Sequence, residues 1–166
     1  MVIIEGIDNS GKSTLVTFLA ERIPVQVQRG EGPERKGENI NDRIRRYLNY
    51  KGSFIFDRHP VVSQPIYSCI NANATEVSDK NTQTFYNRRP LLIYCDPGQR
   101  KLDQHQIREG IDLPEFLAGL DLNYEVMLMK YREWAIQHAN IIYRIGDDIT
   151  LIEDAVRTYF SKGISA

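Results

Sequence analysis

Residues 6–13, GIDNSGKS, decide the fold because they match the spacing G-x-x-x-x-G-K-[ST]. A short apolar run at residues 2–5 precedes them and a helical pattern follows, which is the context that this motif requires. Glycines let the backbone curl until its N–H groups converge on phosphate oxygens, and the helix N-terminus adds partial positive charge. The stretch therefore predicts a loop that binds the phosphates of a nucleotide.

Individual roles follow from the chemistry of this loop. We expect Lys12 to reach the β and γ phosphates of ATP, and the Ser13 hydroxyl to hold Mg²⁺. The remaining members predicted to contact the nucleotide are Gly6, Asn9, Ser10, Gly11 and Thr14. Asp8 is unusual, because an acid in this loop is repelled by bound phosphate. Either its side chain shapes the turn through a hydrogen bond, or its carboxylate faces the hydroxyl of a phosphate acceptor.

The whole chain has the composition of an ordinary globular domain. It has 166 residues, 42% hydrophobic residues, a mean hydropathy of −0.41 and a net charge of −1. These values favour one domain and provide no global field that would attract nucleic acid. No apolar run reaches the roughly 20 residues that span a bilayer, and the N-terminus lacks a signal-peptide pattern. Cys69 and Cys95 form no framework or metal spacing, so we expect a reducing, cytoplasmic setting without a membrane partner.

Strands and helices alternate outward from the phosphate loop. Apolar patterns predict strands at 2–5, 25–28, 53–57, 90–95 and 140–145, and helices at 12–23, 40–48, 60–67, 112–138 and 148–163. Residues 71–84 are polar and give no clear prediction. Such alternation is typical of an α/β fold in which helices cover both faces of a parallel sheet.

A second pair of charged residues directly follows the third predicted strand. Asp57 closes that strand, which places it at the carboxyl edge of the sheet, where ligands bind in such folds. There it can lie near Mg²⁺ and the attacking oxygen, while Arg58 can neutralise a phosphate with its planar fork of donors. The simpler alternative is that the two residues form a surface salt bridge.

Several separate stretches make the chain resemble the thymidylate kinase family of P-loop nucleotide kinases. They are GIDNSGKST at 6–14, RGEGPERKGENINDRIRRYL at 29–48, FDRHPVVSQPIY at 56–67, RPLLIYCDP at 89–97 and the final helix, strand and helix from 131 to 156. The resemblance covers nearly the whole chain. It implies a three-layer P-loop kinase fold with a five-stranded parallel sheet, a short lid at about 98–110, and an acceptor region at about 29–46 and 58–88.

The resemblance also implies roles for residues around the acceptor. Asp8 matches the acid that contacts the acceptor sugar, and Arg35 matches the arginine that reaches the acceptor phosphate. In the lid, Arg100 and Arg108 are the candidates to offset charge in the transition state, unless they are merely solvated. His59 replaces the usual tyrosine; it either contacts the acceptor base or packs in front of Pro60.

The sequence is compatible with three functions. The leading one is transfer of the γ-phosphate of ATP to a deoxynucleoside monophosphate, with thymidylate implied by resemblance only, in a protein that forms a homodimer as many relatives do. In the second, a phage-type kinase phosphorylates a hydroxymethylated pyrimidine (5-hydroxymethyluracil) in DNA, which predicts an open cleft lined by Arg43, Arg46, Arg88 and Arg89. The third is a nucleotide-binding regulator without an acceptor, which would not need Arg35 and Arg58.

Overall fold

Five parallel strands form the centre of the computed structural model, which describes residues 1–35, 37–70, 74–98 and 114–163. The strands are β1 (Val2–Glu5), β2 (Gln26–Arg29), β3 (Phe54–Asp57), β4 (Leu91–Asp96) and β5 (Ile141–Arg144). Their order in the sheet is β2-β3-β1-β4-β5. The phosphate loop therefore leaves the carboxyl end of the central strand, with β3 on one side and β4 on the other.

Helices cover both faces of this sheet. They are α1 (Lys12–Arg22), α2 (Ile40–Leu48), α3 (Pro60–Tyr67), α4 (Asp79–Asn87), α5 (Pro114–His138) and α6 (Ile149–Gly163), with one 3₁₀ turn at Ser68–Ile70 after α3. The apolar side chains of α1 and α6 pack on one face, and those of α2 to α5 pack on the other. The predicted three-layer arrangement is confirmed.

Alternation along the strands explains why both faces need a cover. In β1, Val2 and Ile4 point toward α1 and α6, while Ile3 between them points toward the opposite layer, and all three are fully buried. Burying a side chain of this size contributes roughly 2 kcal/mol. A central strand that is apolar on both faces is stable only between two layers of helices.

One helix was not predicted, and one predicted segment lies outside the described residues. Helix α4 begins inside the polar stretch that gave no prediction, and Ser78 caps it by accepting a hydrogen bond from the Asn81 amide. Only Asn81 and Phe85 of this helix are buried, so its apolar periodicity is too weak to read from sequence. The proposed lid lies outside the described residues beyond Gly98. None of the described helices is both long and apolar enough to cross a membrane.

Candidate active site at the carboxyl edge of the sheet

The phosphate loop follows β1 and requires glycine at its first position. Gly6 has φ +147°, and a Cβ there would lie 2.5 Å from the carbonyl oxygen of Cys95 on β4. Gly11 has φ +85°, a conformation that side chains other than glycine rarely adopt. Asn9 also has a positive φ, of 62°. The loop therefore takes the curled form that the motif predicts.

Lys12 lies beneath this loop. Only 6% of the residue is exposed, and its Nζ donates hydrogen bonds to the Ile7 carbonyl at 2.6 Å and to Ser10 Oγ at 3.3 Å. Burial, together with the positive charge of Arg58, lowers the pKa of Lys12 to about 8. The ammonium group is thus held within the loop, while Ser13 and Thr14 are exposed on the first turn of α1.

Ser13 and Asp57 meet at the edge of the sheet. Ser13 Oγ donates a hydrogen bond of 3.0 Å to Asp57 Oδ2, and the Arg29 guanidinium lies 3.7 Å from the same oxygen. A hydroxyl and a carboxylate are the hard oxygen ligands that suit Mg²⁺, which usually binds one or two protein oxygens together with substrate phosphates. The two residues predicted to hold the metal are therefore adjacent, and their chemistry fits it.

Asp8 has two partners, Arg58 directly after β3 and Tyr67 at the end of α3. Arg58 Nη2 lies 3.0 Å from Asp8 Oδ1, and the Tyr67 hydroxyl donates to Asp8 Oδ2 at 2.7 Å. Burial opposes the charge of Asp8, but Arg58 and Lys12 nearby lower the pKa of its carboxyl group below the ordinary value. Asp8 is therefore ionised and fixed on the side of the loop that faces α3.

The backbone at Arg58 aims its side chain at this cluster. Arg58 has φ 70°, and its amide donates to the Ile4 carbonyl at 3.0 Å. Its guanidinium donates to the Gly6 carbonyl at 3.3 Å and to the Tyr67 hydroxyl at 2.9 Å. Arg58 thus connects the end of β3 to the phosphate loop, which is more than a surface salt bridge.

Glu5 is a member of the site that no sequence pattern reveals. This last residue of β1 is fully buried and accepts hydrogen bonds from the His59 amide at 2.5 Å and the Tyr131 hydroxyl at 3.3 Å. Burial raises the pKa of Glu5 to about 7, despite these bonds. In the sequence it reads only as the end of an apolar strand. Tyr67 was missed for a similar reason, since nothing near it in the chain reveals its contact with Asp8.

His59 lies in the hydrophobic core. The residue is fully buried, and its ring centroid lies 4.6 Å from that of Phe85 and 5.4 Å from that of Phe56. Nδ1 accepts a hydrogen bond of 3.3 Å from the Val61 amide, and burial lowers the pKa of the imidazole to about 3. The ring therefore has the packing contacts of the second alternative, and none of the residue is exposed to solvent.

Arg35 lies on the loop between β2 and α2, with its side chain exposed. Its amide donates to Glu38 Oε2 at 3.0 Å and its carbonyl accepts from the Glu38 amide at 3.0 Å. Only the backbone is fixed by these contacts, so the guanidinium is presented to solvent beside α2. The lid candidates Arg100 and Arg108 lie outside the described residues.

The four arginines expected to line a DNA cleft are not brought together. Arg43 is 5% exposed and pairs with Glu38 at 2.6 Å, and Arg46 pairs with Glu31 at 2.5 Å. Residues 88 and 89 precede β4, which places them at the amino edge of the sheet, opposite the phosphate loop. The described contacts therefore give no support to an arginine-lined cleft for DNA, because two of the arginines hold a loop and the other two lie at the amino edge of the sheet.

Known structures share this architecture. The YorR protein from Bacillus subtilis, solved in complex with phosphorylated GDP, is similar over 99% of this chain and 98% of its own, with a TM-score of 0.69 and 15% identity. A deoxyadenosine kinase from M. mycoides with dCMP and dCDP matches with a TM-score of 0.50 and 16% identity, over 97% and 98% of the two chains. A shikimate kinase from Acinetobacter baumannii matches with 0.53 and 12%, over 99% and 92%.

Sequence comparison adds no closer relative. No model of a known family matches the chain, and no curated protein matches it. The thymidylate kinase subfamily therefore stays a prediction. What the structural similarity establishes, together with the strand order and the glycine loop, is that this chain has the three-layer fold of the P-loop kinases.

Proposed function

We propose that the protein is an ATP-dependent phosphotransferase that moves the γ-phosphate of ATP to a (deoxy)nucleoside monophosphate. The observation that supports this most is that two anion-binding groups, the phosphate loop and Arg58, meet at one edge of the sheet. Ser13 on the phosphate loop bonds to Asp57 at 3.0 Å, and Arg58 next to Asp57 reaches back to Asp8 in that loop at 3.0 Å. A protein that only binds a nucleotide does not need Arg58 as a second anion-binding group.

Each residue has a separate task in this proposal. Lys12 contacts the β and γ phosphates, while Ser13 and Asp57 would hold Mg²⁺, which supplies positive charge against the phosphate oxygens. Arg58 and Arg35 bind the phosphate of the acceptor and offset the charge that spreads over the transferred group. Asp8, already ionised beside Arg58, orients that guanidinium and faces the acceptor.

The acceptor class is proposed on two grounds. Asp8, Arg35 and Arg58 match the family residues that contact a nucleotide acceptor, and a deoxyadenosine kinase of similar fold was solved with the products dCMP and dCDP, so this fold accommodates deoxynucleotides. The preference for thymidylate comes from the resemblance alone. Because a shikimate kinase has the same fold, acceptors other than nucleotides belong in any test.

The test is ADP release with Mg-ATP and a panel of acceptors. The panel contains the deoxynucleoside monophosphates, the corresponding nucleosides, shikimate and DNA that carries 5-hydroxymethyluracil. Stimulation by a monophosphate, lost in Arg58→Lys but kept in Arg88→Lys at the opposite edge, is the expected result. If no monophosphate stimulates ADP release, the proposal fails, and activity on the modified DNA alone would favour the phage-type alternative.

A further inference from the structure

Glu34 is a buried carboxylate that joins three segments of the chain. Only 3% of the residue is exposed. It accepts hydrogen bonds from the Ile40 amide at 3.1 Å, from Gln64 Nε2 at 2.7 Å and from the Thr75 amide at 2.5 Å, and the Thr75 hydroxyl donates to it as well. Ile40, Gln64 and Thr75 lie 6, 30 and 41 residues away in sequence.

The carboxylate is ionised in this environment. Burial opposes its charge, but the hydrogen bonds from Thr75, Ile40 and Gln64 outweigh burial and lower the pKa of Glu34 below its ordinary value. An ionised carboxylate only accepts hydrogen bonds, and such charge-assisted bonds are about twice as strong as neutral ones. Glu34 therefore holds its four donors more firmly than an amide could.

Three segments that Glu34 connects surround the proposed acceptor: its own loop with Arg35, helix α3, and the segment around Thr75. Glu34 directly precedes Arg35, so its anchor sets where the Arg35 backbone lies. Gln64 belongs to α3, the helix that ends at Tyr67, whose hydroxyl donates to Asp8. Thr75 belongs to the segment that leads into α4, within the region at 58–88 where the family resemblance predicts that the acceptor binds.

We propose that Glu34 is a positioning residue of the acceptor site, which sets the spacing between Arg35, α3 and the segment around Thr75. This inference rests on the proposed function, because it assigns Glu34 to the acceptor half of the reaction. Glu34 itself touches no reacting atom. Its effect is on how well the acceptor is bound and oriented, and the binding of the donor nucleotide to the phosphate loop is unaffected.

The chain offers a matched control for a Glu34 variant. Glu31 lies three residues earlier on the same loop and also pairs with α2, through Arg46 at 2.5 Å and the Tyr47 hydroxyl at 2.8 Å. Its side chain is 38% exposed, and its hydrogen bonds reach neither α3 nor Thr75. Glu34→Gln and Glu31→Gln therefore remove the same charge from one loop, but only the first changes the junction.

Steady-state kinetics and hydrogen exchange together test the inference. In Glu34→Gln we expect the KM for the acceptor to rise by about tenfold or more, since misplacement by a fraction of an ångström weakens binding and orientation. The KM for ATP should stay within about twofold, because the hydrogen bonds described for Glu34 go to Ile40, Gln64 and Thr75 and not to the phosphate loop. A general loss of stability would instead raise the KM values for both substrates. Glu34→Asp, which keeps the charge, should recover part of the acceptor KM, and Glu31→Gln should leave it unchanged.

Hydrogen exchange separates a failure of this inference from a failure of the proposed function. The amides of Ile40 and Thr75 should exchange faster in Glu34→Gln by about tenfold, and not in Glu31→Gln, whatever the enzyme phosphorylates. If wild type turns over no monophosphate, the proposed function fails. If it does, and Glu34→Gln raises the KM values for ATP and acceptor equally or neither, Glu34 is a structural residue only and the inference is overturned.

Discussion

The hydroxyl of Ser13 lies 3.0 Å from a carboxylate oxygen of Asp57, across 44 residues of sequence. Ser13 lies in the first turn of α1 and Asp57 closes β3, so the contact ties the phosphate loop to the neighbouring strand. Because both groups are hard oxygen donors, the same geometry prepares a place for Mg²⁺ between loop and strand.

Removing the charge of Asp57 tests this arrangement. Asp57→Asn keeps an oxygen that can accept from Ser13, but it lacks the negative charge that holds a metal ion. We expect turnover to fall by about 100-fold and the Mg²⁺ concentration for half-maximal rate to rise. Initial rates measured against Mg²⁺ concentration check this. The control is Asp42→Asn on the exposed face of α2, and equal losses in both variants would contradict the assignment.

The low pKa of Lys12 predicts a pH dependence of ATP binding. Free protein loses the Lys12 proton above about pH 8, whereas bound phosphates require the charged form. Affinity for ATP should therefore fall by about tenfold per pH unit above pH 8. Calorimetric titrations between pH 7 and 9.5 measure it. Constant affinity across that range would mean that Lys12 stays protonated in the free protein.

We expect the contribution of Glu5 to the free energy of unfolding to decrease between mildly acidic and neutral pH. Its pKa rises from an ordinary value of 4.5 to about 7 in the folded protein, so folding favours the protonated form. The resulting stability is fully present below about pH 4.5 and is lost as pH rises through 7, by at most about 3 kcal/mol. Urea unfolding of Glu5→Gln should lack this loss. The exposed Glu133→Gln should retain it.

His59 has the opposite effect at acidic pH. Its pKa falls from 6.5 to about 3 on folding, so the unfolded chain binds a proton that the native state excludes. Stability from this residue decreases as pH falls below 6.5, by about 1.4 kcal/mol per unit. His59→Phe, which suits the aromatic surroundings, should remove this loss. The unfolding free energy of the variant should therefore rise more steeply than that of the wild type as pH falls from 6.5 to 5, because the opposite contribution of Glu5 remains. An unchanged slope would show that His59 is not the group responsible.

Much of the architecture follows from short-range sequence patterns, and α4 shows where such patterns fail. The five strands and five of the helices carry apolar periodicity strong enough to locate them within a few residues. In α4 only Phe85 is a buried apolar residue, and the helix is held by the Ser78 cap and by Asn81, whose side chain donates to Asn41 Oδ1 at 2.8 Å. A contact 40 residues away leaves no periodic signal.

The residues of the candidate site also divide into those that a sequence pattern reveals and those that it does not. The phosphate loop and Asp57-Arg58 are recognisable because a motif and a strand end fix their positions. Glu5 and Glu34 are not, because their importance comes from buried contacts with distant segments, such as Tyr131 and Thr75. A glutamate in a strand or a loop has no distinctive neighbours in sequence. Only the packing of α3 and α5 against it makes it part of a site.

The close approach of Gly6 to the Cys95 carbonyl has a consequence for how this protein tolerates change. The backbone of β4 packs directly against the phosphate loop and so limits the conformations that the loop can adopt. A substitution that displaces this strand by a few tenths of an ångström would deform the loop from outside, without altering any of its own residues. A variant can therefore retain every residue of the motif and still lose affinity for the nucleotide.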